Sequence, residues 1–401
     1  MLRASALRDC QSILDLRELA QRRLPRPVFH FLDGAAETER TAERNVAAFD
    51  DCKLLARCLV DVASVKTSAR VLGQEMQWPV ICSPTGASRL FHPDGEIAVA
   101  RAAADAGVLY GISSGSTYSI EDVAAASDGP KMLQIYMQKN RDATWELIER
   151  AKQAKYAALC LTVDVPAVGK RERDLREGFS MQFKWTPRSL LAFASRPAWV
   201  LGQVRKGPIH LANYASPPKG LNPFVRPKYA GGQLDASLTW KDIRDISDRW
   251  GGRPFALKGV MAVDDACRAA DAGVTAIFVS NHGGRQLDGA AAAMEALPGI
   301  VRAVRGRIEV ILDGGIRRGV HMVKALASGA TACSIGRPYL YGLGAAGEAG
   351  VTRALDILRA ELTLAMRLAG CADVQHLDES WLWQPAQCGP GMPVRRSKAR
   401  A

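Results

Sequence analysis

No apolar run in this chain approaches the roughly 20 residues that a membrane-spanning helix needs. No CxxC pair occurs either. The nine cysteines, Cys10, Cys52, Cys58, Cys82, Cys160, Cys267, Cys333, Cys371 and Cys388, are odd in number and scattered. That pattern argues against a disulfide framework and against a zinc site, so no metal is expected, and it fits a reducing cytoplasm. No GxGxxG opens the fold and no GxxxxGK[ST] occurs, which leaves dinucleotide and P-loop readings without support. The N-terminal stretch MLRASALRDCQSILDLRELAQRRLPRP has acids and lacks the apolar core of a signal peptide; it reads as an amphipathic helix stopped by Pro25.

What is present is a core-forming composition over 401 residues, with 48% hydrophobic and 23% charged residues. Eight short apolar or β-branched runs stand out: PVICSP (79–84), VLYGIS (108–113), KMLQIY (131–136), AALCLTVDV (157–165), PFALKG (254–259), TAIFVSN (275–281), IEVILDGG (308–315) and TACSIG (331–336). Helix-like stretches such as DGEIAVARAAADAG, SIEDVAAAS, RDATWELIERAKQAK, AVDDACRAADAG and RGVHMVKALASGA lie between most of them. Strand then helix, repeated about eight times, predicts a parallel α/β fold. The even spacing, with polar and glycine residues at the C-terminal strand ends, favours a closed (β/α)8 TIM barrel over a doubly wound sheet. The expected division is an N-terminal helical cap over 1–75, the barrel over 76–375 and a C-terminal tail over 376–401.

The net charge of +12 is unevenly spread. Between Glu177 and Asp235 no acid occurs, and eight bases do: Lys184, Arg188, Arg196, Arg205, Lys206, Lys219, Arg226 and Lys228. This span, 178–234, is a long insertion after the fourth strand. It also carries Trp185, Leu190, Leu191, Phe193, Trp199, Val200, Leu201 and Val204. Bases with interfacial aromatic and aliphatic residues read as an element for an anionic membrane surface. A solvated loop with a small satellite core is the other reading. Nucleic acid is not expected as a partner, since the bases are not interleaved with a recognisable reading module.

The most specific string is SNHGGRQLDGA (280–290), where Ser280 ends a strand and His282 precedes Arg285 by three residues. It offers a base titrating near neutrality beside a fixed cation able to clamp a carboxylate. LDGGIRRG (312–319) and SIGRP (334–338) are glycine-rich turns after the last two strands, the usual place for a phosphate in a barrel, with Arg317 and Arg337 adding charge. Other strand ends supply Pro84, Thr85, Gly86, Ser113, Gln134, Tyr136, Thr162, Asp164 and Lys258. An Asp can steady the imidazolium of a His base, and a buried Lys can stabilise a developing anion.

With these strings in order, the chain resembles the FMN-dependent 2-hydroxy-acid dehydrogenase/oxidase family over about Leu14 to Gly370. The resemblance implies FMN as cofactor and oxidation of an L-2-hydroxy acid, lactate- or mandelate-like, to the 2-oxo acid. It implies His282 as base with Asp164 as its partner, Arg285 and Arg171 on the substrate carboxylate, Tyr136 near the substrate hydroxyl, and Lys258 facing the flavin. Pro84, Thr85, Gly86, Ser113, Gln134, Thr162 and Ser280 would surround the isoalloxazine and ribityl, and Asp313, Gly315, Arg317, Gly336 and Arg337 the ribityl and phosphate. Phe31 stands where the family usually has a Tyr that helps bind the carboxylate. Electrons would pass to a membrane quinone, or in an oxidase to O2. A homo-oligomer, a tetramer by resemblance, peripheral on the inner face of the cell membrane, completes the expectation.

Overall fold

The computed structural model describes residues 4–178, 186–214 and 234–383. Eight parallel strands close into a barrel in sequential order. They are β1 (Val80–Thr85), β2 (Leu109–Ser113), β3 (Lys131–Ile135), β4 (Ala158–Thr162), β5 (Phe255–Val260), β6 (Ala276–Ser280), β7 (Glu309–Asp313) and β8 (Ala332–Ile335). The last strand pairs with the first, Ile335 opposite Cys82.

Side chains alternate across each strand, and the alternation writes two layers inside the barrel. The lower layer is apolar and mostly small: Ile81, Leu109, Met132, Ala158, Ala256, Ala276, Phe278, Ile311 and Ala332 pack together apart from the outer core. Further along the same strands, two residues on in most and four on from Leu109 and Ala158, the inward set turns polar: Ser83, Ser113, Gln134, Thr162, Lys258, Ser280, Asp313 and Ser334, all buried. The other strand faces meet the surrounding helices in one large apolar core.

Helices Gly95–Asp105, Ile120–Ala126, Arg141–Gln153, Val263–Asp271 and Gly319–Ala327 lie within the stretches the sequence marks. Ser119 caps Ile120–Ala126 in a reciprocal box with Asp122, whereas Asp94 begins its helix without a side-chain cap. Ahead of the barrel, Ser12 and Asp15 form the same box at helix Ile13–Arg23, and Pro25 opens the next helix, Arg26–Asp33. A hairpin, Ala69–Val71 with Gln74–Met76, was not legible as strand and follows helix Arg40–Asp51. Its Val71, Leu72 and Met76 fill the lower mouth of the barrel, where the alanines leave room. The Leu72 N–H donates to both carboxylate oxygens of Glu309, at 2.8 and 3.1 Å. At the other end of the chain, residues expected to begin a tail pack down: Trp381 is buried, and its carbonyl accepts from Leu55 N–H.

The insertion folds into helices Pro187–Ala194 and Pro197–Lys206, the first capped by Thr186 and Ser189 reciprocally. They dock on the barrel's C-terminal face. Trp199 is an anchor and not an interfacial residue: its indole donates to Leu90 O at 2.9 Å and packs on Phe193. Arg89 donates to the carbonyls of Lys206, Gly207 and Pro208, and Asn213 ties the segment to Ser116 and Ile120. Leu190, Leu191, Leu201 and Val204 stay exposed. Lys184, Trp185, Lys219, Arg226 and Lys228 lie outside the described residues.

Because Leu72 is fully buried, removing its acceptor strands an N–H away from water. Glu309→Ala is expected to lower unfolding free energy by about 1–3 kcal/mol, read as a lower denaturant midpoint with an unchanged slope. An unchanged midpoint would show the hairpin held by apolar packing alone.

Candidate active site

The loop after β6 carries the sharpest geometry. His282 has φ 58, a left-handed backbone that is uncommon outside glycine. Its neighbours hold it there. Asn281 exchanges two amide hydrogen bonds with Asn45, at 2.8 and 2.9 Å, and accepts from Gly284 N–H. Gly284, at φ 76, leaves no room for a side chain, since a Cβ would lie 2.6 Å from Ala42 N. The His282 N–H donates to Ser280 Oγ at 3.1 Å. The ring is thereby aimed at Asp164, with Nδ1 3.0 Å from Oδ1. In the tautomer where Nδ1–H donates to Asp164 Oδ1, Nε2 carries the free lone pair. Asp164 sits against Gly259 of β5, whose missing side chain makes the contact possible: a Cβ there would meet Asp164 Cβ at 2.5 Å.

Beside the base lies a buried charge pair. Lys258 Nζ donates to Asp313 Oδ2 at 2.6 Å and to Ser280 Oγ at 3.0 Å, and Ser280 donates to the same carboxylate oxygen. Ser83 donates to the other oxygen. Burial works against both charges, yet their attraction outweighs it: Lys258 is held above its ordinary value and Asp313 below its own. Lys258 thus remains a fixed ammonium at the wall of the cavity. Ser113, Gln134 and Thr162 form a second relay, Ser113 to Gln134 Oε1 at 2.7 Å and Gln134 to Thr162 at 2.9 Å.

Three arginines converge opposite. Arg285 donates to the carbonyls of Phe31 and Gly34, and Arg337 to those of Asp33, Gly34 and Gly283. Arg171 and Arg285 stand over the Phe31 ring, at 5.1 and 5.3 Å. Burial, then repulsion from Arg171 and Arg337, pushes Arg285 well down from its ordinary value. Such crowding of like charge is relieved by an anion. Tyr136 faces the same space; burial, then the Asp164 charge, holds its phenol far above its ordinary value, so it stays a hydrogen-bond donor.

These groups surround one cavity of about 1470 Å³. Phe31, Pro84, Thr85, Gly86, Tyr136, Arg171, Lys258, His282, Arg285, Asp313, Gly315, Arg317, Gly336 and Arg337 line it. Asp164 stands behind His282, Ser280 behind Lys258, and Ser113, Gln134 and Thr162 beneath the wall. The cavity's far end fits a phosphate. Gly314, Gly315 and Gly336 open backbone onto it, helix Arg337–Ala346 starts there, and the Arg317 guanidinium and the buried Ser334 hydroxyl adjoin it. Sequence reasoning missed Ser83, Ser334, Gly314 and Asp174. It also missed that the insertion builds the outer wall, through Phe193, Trp199, Val200, Gln203 and Val204.

The family model for FMN-dependent dehydrogenases matches residues 20–384. The chain is 42% identical over 381 residues to the L-lactate oxidase of Nostoc sp., covering 92% of this chain and 97% of that protein. It is 40% identical over 358 residues to the L-lactate dehydrogenase of Actinobacillus pleuropneumoniae, covering 88% and 93%. The crystal structure of the monotopic membrane protein (S)-mandelate dehydrogenase superposes with a TM-score of 0.90 at 36% identity, over 94% of this chain and 99% of that one.

Behind the phosphate end, His321 stacks on Phe49 with ring centroids 4.4 Å apart, and its Nδ1 lies 3.4 Å from Arg317 N. Burial, then Lys324, lowers its pKa to about 4. An unfolded histidine titrates near 6.5, so between about pH 6.5 and 4 the unfolded chain binds a proton that folded His321 refuses. Stability is expected to fall as pH drops through that window. His321→Gln should fall less steeply over it, measured as melting temperature against pH; parallel curves would remove His321 from the account.

Proposed function

The chain belongs to the FMN-dependent dehydrogenase family, and from that premise we propose that it oxidises an L-2-hydroxy acid, lactate- or mandelate-like, to the 2-oxo acid and passes the electrons to a membrane quinone. The observation that carries this is the His282–Asp164 pair at 3.0 Å, opening on the cavity that also presents Lys258, Arg171 and Arg285. FMN, when bound, accepts the two electrons.

Arg171 and Arg285 hold the substrate carboxylate, and the Phe31 ring beneath them replaces the hydroxyl of a Tyr with a face that steadies both cations. Tyr136 donates to the substrate oxygen. His282 Nε2 takes up a proton as the hydroxy acid is oxidised, and Asp164 stabilises the resulting imidazolium. Lys258 supplies fixed positive charge where negative charge grows on the flavin side. Pro84, Thr85 and Gly86 flank the ring, with Ser113, Gln134, Thr162 and Ser280 below. Gly315, Arg317, Gly336 and Arg337 hold the phosphate, and Asp313 fixes Lys258.

A quinone acceptor and attachment to the inner face of the cell membrane draw support from the insertion. Its two helices expose Leu190, Leu191, Leu201 and Val204 next to Arg205 and Lys206. No helix among the described residues is long and apolar enough to cross a membrane. The similar mandelate dehydrogenase is a monotopic membrane protein. A homotetramer belongs to the same proposal; Leu364 and Leu368, exposed on helix Glu348–Ala369, support self-association. The similarity to an L-lactate oxidase favours a second reading, with O2 as acceptor and peroxide as product. Peroxide yield against quinone reduction separates the two.

Anaerobic bleaching of the flavin band by glycolate, lactate, mandelate and longer 2-hydroxy acids tests the reaction itself. His282→Ala is expected to retain FMN and to slow bleaching by about 10²–10⁴; near-parental bleaching would remove His282 from the base role. Full-length protein is expected to co-sediment with anionic liposomes at low salt and to come off at high salt. Failure to bind at low salt would leave the insertion as a wall of the site only.

A further inference from the structure

Among the described residues that line the cavity, six cations face two acids. Lys170, Arg171, Lys258, Arg285, Arg317 and Arg337 stand on one side, Asp174 and Asp313 on the other. Asp313 is committed to Lys258, Ser280 and Ser83. Asp174 is committed to nothing as firmly. Its side chain is only 6% exposed, and its Oδ2 lies 3.2 Å from Arg171 Nε. Among the described residues, neither carboxylate oxygen has an aligned hydrogen-bond partner. A carboxylate that served only to brace the loop would have both oxygens satisfied, because burying unpaired ones is costly. Asp174 therefore sits where a second carboxylate would sit, beside the same guanidinium and within the field of Arg285.

We propose that Asp174 is the resident counter-ion of the substrate-carboxylate site, holding Arg171 in the empty enzyme and competing with the incoming acid for it. This rests on the reading of Arg171 and Arg285 as the substrate clamp. Asp174 is then an affinity-determining residue. It neutralises one guanidinium while the site is empty, repels the bound carboxylate, and so sets how tightly a 2-hydroxy acid is held and how readily the 2-oxo acid leaves. The direction of its own titration agrees: burial raises Asp174 against the pull of Arg171 and Arg285, with Glu39 opposing and Arg173 assisting that pull. A carboxyl group so placed is already short of partners before a second one arrives.

The probe is oxalate, a dicarboxylate with no α-hydrogen to lose, titrated into the FMN-loaded protein and read from the flavin difference spectrum. Asp174→Asn keeps the shape and removes the charge. It is expected to tighten oxalate at least about fivefold, the effect of removing one like charge at about 4 Å even under the full screening of water. The neutral amide of the best substrate should bind parent and variant alike. Oxalate bound no tighter by an FMN-loaded variant would overturn the proposal and leave Asp174 as a brace for Arg171. Equal tightening of oxalate and amide would overturn it too, as an effect of cavity shape. If the Asn variant does not retain FMN, the same titration of Asp174→Ser decides. A parent protein that neither binds oxalate nor is bleached by any 2-hydroxy acid would overturn the underlying function, an outcome distinct from a parent that binds and a variant that does not tighten.

Discussion

One carboxylate, Asp313, is shared among four strand ends, and the active-site geometry follows from satisfying it. β5 supplies the ammonium of Lys258, β6 the hydroxyl of Ser280, and β1 the hydroxyl of Ser83. A buried pair of this kind is poor evidence for stability, because desolvation offsets most of the attraction, but removing one partner leaves an intolerable charge. The constraint is therefore on position. Ser280 gives its own proton to Asp313 and accepts from both Lys258 and the His282 N–H, so all three of its hydrogen-bonding capacities are used. The backbone of His282 is thus tied, through one hydroxyl, to the buried ammonium of Lys258.

Electrostatics divides the cavity into zones. Near the base, cations are held by backbone carbonyls or by aromatic faces, so they keep capacity for a ligand anion. Arg285 rests on the carbonyls of Phe31 and Gly34 and over a ring, while Lys258 is matched by a full carboxylate. The first arrangement leaves net positive charge and the second nearly none. An anionic ligand is for that reason drawn more strongly to the Arg285 end than to Lys258.

The barrel was legible because period-two alternation repeats eight times, with a polar residue closing each run: Gln134 in KMLQIY, Thr162 in CLT, Ser280 in FVS, Asp313 in ILD. Ser83 and Ser334 obey the same rule two places after Ile81 and Ala332, yet a small hydroxyl inside VICSP or ACSI reads as filler. The SNHGGRQLD string announced His282 and Arg285. Their supports are distant in sequence and carry no motif: Asn45, Gly259 and the carbonyl of Gly34 enter the site by tertiary packing alone. Trp199 failed as an interfacial residue because composition cannot tell which side of a helix meets the barrel. Asp174 had a signal, three residues past Arg171 in RERD, but that spacing also describes countless solvated helix pairs.

The amide exchange between Asn45 and Asn281 spans 236 residues of chain. At a synthesis rate of about 5–20 residues per second, the helix Arg40–Asp51 leaves the ribosome roughly 10–50 s before its partner loop exists. The closing contact of Ile335 with Cys82 comes later still. Through that interval the apolar faces of the N-terminal helices have no barrel to cover them, and His282 cannot be set in its left-handed bend. Completion of the site therefore waits on contacts between residues far apart in the chain, the kind of contact that slows folding.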